Sequence, residues 1–255
     1  MNQTLEKLHD LEKNGYQIDF GNVFNHAFEN YKKIALYAGL VLLIFIILFV
    51  VFTTVSLVSI LGATAMSKEF SPENFKIENL SQSNLLALGI FSTLSSCLLS
   101  PFQAAFLKMA HHGDRDEDFP VSSLFSYYKM PYLKEILISS LLISTINFGQ
   151  TTLLTFVKLD LLGNIITLVV SFATLLTVPL IIFGNLTALD AIKYSIKIIF
   201  KQPLVILGLI VVAIIGSLVG LIGCCVGILF TMPFLYSMNY AIYSAILGID
   251  DPKEN

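Results

Sequence analysis

The chain has 255 residues, 55% of them hydrophobic and only 13% charged. A soluble domain carries about 25% charged residues and needs a polar surface, so the composition argues against a water-soluble globule. The net charge of −3 is spread over connecting segments, with no basic run or basic–aromatic patch, which argues against a nucleic-acid partner.

In chain order, residues 1–18 read as a polar tail. This is not a secretory signal, because the first apolar run begins only near Ile34. Three similar units are expected after it, over residues 19–115, 116–185 and 186–249, and a polar tail at 250–255 closes a single integral membrane domain. Each unit has an amphipathic lead-in, an apolar stretch, a turn, and a second apolar stretch carrying one proline: Pro101, Pro179 and Pro233.

The first lead-in places Phe20, Val23, Phe24, Ala27, Phe28 and Tyr31 at helical steps of three and four. The second repeats the stripe with Val121, Leu124, Phe125, Tyr128 and Tyr132. The third opens on Thr187 and Asp190, a capping-box pattern, and continues with Leu189, Ile192, Ile196, Ile199 and Phe200. Such helices have one oily face and are expected to lie in the membrane interface as elbows.

The expected spans are residues 34–61, 85–109, 136–157, 161–183, 204–222 and 227–247, each near the ~20 residues a bilayer requires. Within the first, the run from Val41 to Val51 is unbroken Val, Leu, Ile and Phe. It contributes about −3 to −7 kcal/mol towards insertion. The fold class is therefore all-α, a polytopic membrane protein with six transmembrane helices in three elbow-plus-hairpin repeats. Of the 15 lysines and arginines, only Lys68, Lys76 and Lys158 fall on the side opposite the termini and elbows. By the positive-inside rule, both termini and all three elbows are expected in the cytoplasm. Residues 62–84 form the longest external connection, read as solvated.

Little in the spans is reactive. They carry no ionisable side chain at membrane depth, which argues against ion-coupled transport. Their amides Gln103, Asn147, Gln150 and Asn239 allow two readings: lining of a cavity, or hydrogen bonding between helices, which the base rate favours. The three prolines are candidate kinks, since each removes one helical hydrogen bond. The run from His111 to Asp118 has two imidazoles and several carboxylates, but adjacent histidines in a turn seldom converge on one ion, so no metal site is expected. Cys224 and Cys225 form no metal motif. Gly216 and Gly220 make a close-approach pair, expected to serve the neighbouring helix of the same chain before a second copy. No phosphate loop or nucleophile elbow appears, and neither catalytic residues nor cofactors are expected.

The stretch from Thr187 to Ser195 and the closing stretch from Gly223 to Phe234 resemble a bacterial membrane family of six-span proteins of the YciC type. They are also similar to the membrane domain attached to some glycerophosphoryl diester phosphodiesterases. Ala191, Ser195, Gly227, Thr231 and Pro233 carry the resemblance. It implies a multi-pass protein of the bacterial cell membrane and transfers no catalytic residue, since the phosphodiesterase domain is missing. The expected function is non-enzymatic: organising or assisting other membrane components, with membrane lipids and other membrane proteins as partners. The alternative is movement of a lipidic or neutral solute between kinked helices. The sequence leaves the oligomeric state open.

Overall fold

The computed structural model describes residues 3–61, 82–223 and 227–249. Most of the predicted external loop, the cysteine pair Cys224 and Cys225, and the tail 250–255 lie outside the described residues. All regular structure among the described residues is helical. The helices are α1 (Gln3–Asn14), α2 (Phe20–Leu61), α3 (Gln82–Asp114), α4 (Tyr132–Phe156), α5 (Asp160–Ala173), α6 (Thr177–Ile182), α7 (Ala188–Ile199), α8 (Pro203–Leu218), α9 (Gly227–Thr231) and α10 (Pro233–Leu247). Two 3₁₀ segments, Val121–Tyr128 and Val219–Gly223, complete the chain.

The three lead-ins fold in three different ways, and proline explains the difference. Pro131 and Pro203 stand where the second and third lead-ins meet their spans. A proline has no N–H to donate and is tolerated at a helix start rather than inside. The second lead-in is therefore the 3₁₀ segment Val121–Tyr128, followed by a break before α4. The third is the separate helix α7, whose N-cap Thr187 accepts a hydrogen bond from Asp190 N–H. At the first junction, Lys32, Lys33 and Ile34 contain no breaker, so lead-in and span run on as one helix of 42 residues. At 1.5 Å per residue that is about 63 Å, enough for an interfacial stretch and a ~30 Å crossing.

The repeated prolines also diverge. Pro101 stays within α3, and Ser100 Oγ beside it donates to the Cys97 carbonyl at 2.9 Å. Before Pro179 the chain leaves the helix at residues 174–176, separating α5 from α6. Pro233 starts α10, and the helix is interrupted at Met232. Five stretches are therefore long and apolar enough to cross a membrane among the described residues: Phe20–Ser56, Gly89–Asp114, Tyr132–Phe156, Asp160–Ile182 and Pro203–Ile222. The sixth expected span is split into α9 and α10.

That split segment forms the centre of the molecule. α10 packs between α2, α3 and α8, and its Ser237, Met238, Tyr240, Ala241 and Ile242 are buried. Large apolar side chains face outward elsewhere: Leu161 is 76% exposed, Leu204 82% and Ile222 86%. An apolar exterior on helices of this length marks a membrane protein. Lipid provides no hydrophobic drive between helices, so association depends on close packing. Gly39 lies against Phe230, Gly89 against Phe148, Gly216 against Phe234, and Gly220 against the backbone of Gly227. The Gly216 and Gly220 pair thus serves helices of its own chain. α4 and α5 are held to the centre mainly through α3, α6 and α7.

Candidate functional site

The described chemistry concentrates at the elbow end of the bundle. His26 of α2 lies 2.7 Å from Asp114 Oδ1 at the end of α3. Tyr240 of α10 donates its hydroxyl to Asp114 Oδ2 at 2.9 Å. With that one proton committed, the Tyr240 oxygen accepts from His111 Nδ1 at 3.2 Å, which puts a proton on that ring nitrogen. Phe183 flanks this chain, with its ring centroid 5.4 Å from that of His111 and 6.0 Å from that of Tyr240. One turn inward, Asn30 Nδ2 donates to the Ala110 carbonyl at 2.6 Å, and Ser237 Oγ donates to Asn30 Oδ1 at 2.8 Å. A polar ladder therefore ties α2, α3 and α10 together where the helices emerge from the apolar core.

The His111–Asp118 run contributes to this clamp and does not gather around a point. Asp116 pairs with Lys33 of α2 at 2.7 Å, and Glu117 lies 3.0 Å from His112 Nδ1. Among the described residues no three His, Cys, Asp or Glu side chains converge as an ion-holding group. The ladder also lacks a nucleophile activated by a base, so its geometry amounts to a hydrogen-bonded clasp.

The N-terminal segment, read from sequence as a tail, contains α1, and this helix is docked. Leu8 is fully buried. Lys197 of α7 donates to Glu12 Oε1, and Lys201 donates to the Glu12 carbonyl at 2.6 Å. Tyr16 donates to the Ile198 carbonyl at 2.9 Å, and Gln202 bonds both the Tyr16 carbonyl and Ile18 N–H. The bond from Lys197 holds the Glu12 carboxyl below its usual range, while burial pushes the Tyr16 phenol up to about 12. A signal was present in the sequence: Leu5, Leu8 and Leu11 recur every third residue.

The four predicted amides are not brought to one place. Gln103 is exposed on α3. Gln150 Nε2 reaches Thr151 Oγ1 at 2.9 Å, Gly163 O at 3.2 Å and Thr167 Oγ1 at 2.7 Å, joining α4 to α5. Asn147, one turn before it, keeps a buried carbonyl oxygen without a partner, as does Gln150. Asn239 Nδ2 donates to the Leu175 carbonyl at 3.3 Å, in the break between α5 and α6. Gln150 and Asn239 thus serve different junctions.

Ser195, one of the residues that carry the family resemblance, bridges the α5–α6 break from α7. Comparison with protein-family models, with curated proteins and with solved structures finds no match.

Proposed function

We propose that this chain is a multi-pass protein of the bacterial cell membrane that organises or assists other membrane components and lipids without catalysing a reaction. In this reading it has six spans in three elbow-plus-hairpin repeats, with both termini in the cytoplasm. The observation that carries it is the filled centre. Around α10 the space is occupied by Phe106, Leu209, Met238, Tyr240 and Ile242, each at most 2% exposed, and two of the four amides bond neighbouring helices. A centre packed this closely leaves little room there for a solute, which supports an organising role over passage. The elbows support the same reading. Phe125, Leu189 and Phe200 are exposed, with Lys129, Lys193 and Lys201 close by in sequence, the pairing an interfacial segment needs.

The test is to extract the protein in native lipid particles and identify by mass spectrometry what travels with it. The reading expects a reproducible set of membrane proteins or lipids above the level of an unrelated multi-pass control. A composition equal to that control overturns it.

A second reading, passage of a lipidic or neutral solute, draws on one residue. Gln103 shares a face of α3 with Gly89 and Ser96, which meet α4 at Phe148 and Ser144, yet Gln103 is exposed. Solute flux into proteoliposomes that falls on Gln103→Leu would favour this reading over the first.

A further inference from the structure

A cavity of about 210 Å³ opens where the start of α4 meets the link between α6 and α7. Tyr132, Glu135, Ile181, Asn185 and Thr187 are among the residues lining it. It lies apart from the His26–Asp114–Tyr240 ladder. Among the described lining residues Glu135 is the one that carries charge, and its side chain is only 23% exposed.

Four donors around this cavity are committed. Tyr132 donates its hydroxyl to Asn185 Oδ1 at 2.8 Å. Thr187 donates to Asp190 Oδ2 at 2.8 Å, and Leu186 N–H donates to the Leu180 carbonyl at 3.2 Å. Ala188 N–H donates to Glu135 Oε2 at 2.8 Å. That bond fixes the carboxylate and, among the described residues, leaves Oε1 with only the Lys134 ammonium, 3.9 Å away on a side chain 65% exposed. A carboxylate offers about four acceptor positions, so this half-buried group has unused capacity beside an aromatic wall. Asn185 holds its place with φ of +51°, a left-handed conformation that asparagine tolerates better than most residues.

A negative, acceptor-bearing, apolar-walled cavity rejects anions and favours a compact cation that donates hydrogen bonds. We infer that this cavity binds a primary ammonium group, seated on Glu135 Oε1 against the Tyr132 ring. The group can arrive as a free small amine or as the ethanolamine end of a phospholipid. This inference does not rest on the functional reading above.

The experiment uses the full chain in phosphatidylglycerol nanodiscs. Thermal unfolding is followed with ethanolamine hydrochloride, with sodium chloride at matched ionic strength, and with ethylene glycol, the neutral isostere. Native mass spectrometry is run in parallel on nanodiscs of mixed phosphatidylethanolamine and phosphatidylglycerol. A saturable rise in midpoint with ethanolamine alone assigns the free amine. Selective retention of phosphatidylethanolamine without that rise assigns the lipid. Glu135→Gln keeps an acceptor for Ala188 N–H but removes the charge, and is expected to weaken either response at least tenfold. An ethanolamine response no larger than that of ethylene glycol, together with no preference for phosphatidylethanolamine, overturns the proposal. So does a folded Glu135→Gln protein that binds as well as the parent. Should that variant fail to fold, the comparison of the isosteres and of the two lipids on the parent protein decides alone.

Discussion

Ser195 closes the gap that Ala173 opens: its hydroxyl donates to the Ala173 carbonyl at 2.8 Å and accepts from Leu176 N–H at 3.1 Å. Helix α5 stops at Ala173, so both backbone groups lack helical partners, and Ser195 is fully buried. Leaving them unpaired in an apolar setting costs about 1–3 kcal/mol. Ser195→Ala is therefore expected to lose about 2 kcal/mol, measured by steric trapping in detergent micelles.

The bond from Tyr240 to Asp114 joins α10 to α3 through a charged acceptor. Hydrogen bonds to charged groups contribute about 1.5–3 kcal/mol. Tyr240→Phe keeps the ring that fills the centre and should destabilise by about that amount. Asp114→Asn should show coupling with it in a double-mutant cycle, since the residues touch. Purely additive losses would contradict a shared clasp.

Docking of α1 is expected to weaken in acid. The Lys197 bond holds the Glu12 carboxyl below its ordinary 4.5 in the folded protein. A depressed carboxyl pKa means that the contribution is complete above that value and is lost as pH falls through the lowered one. A nitroxide attached at exposed position 10 should become mobile as pH falls below the ordinary carboxylate range, and Glu12→Gln should flatten the response.

Gly220 has no room for a side chain. A Cβ there would meet the Gly227 backbone, which cannot rotate aside. Gly220→Ala is expected to cost about 1–3 kcal/mol. Gly208→Ala, which approaches only the movable Phe20 ring at 3.3 Å, should cost far less. Thermal unfolding of the two variants in one detergent provides the comparison.

Topology can be read by labelling. With cytoplasmic elbows, cysteines introduced at Phe125 and Lys193 should react with an impermeant maleimide only after the cell membrane is opened. Reaction at either in intact cells would reverse the proposed orientation.

The helical class and the apolar stretches were legible because hydropathy and the three-and-four spacing act locally. The clasp was not, because His26, Asp114 and Tyr240 lie on separate helices and only packing joins them. The prolines were legible as breakers but not as to effect: Pro101 stays inside a helix whose neighbour Ser100 bonds back to Cys97, while Pro233 interrupts one. The docked α1 was hidden by its polarity. Only one face is apolar, and its partner α7 lies almost the whole chain away. The cavity beside Glu135 depends on a link conformation at Asn185 that residue types alone do not specify.

The central position of α10 bears on how the molecule is built. Synthesis delivers α2, α3 and α8 before it, so the three walls exist while the pillar between them is still missing. The burial of Phe106 and Leu209 and the tyrosine partner of Asp114 both depend on that last helix. The contacts that complete the centre are thus the ones supplied by the last helix of the described chain.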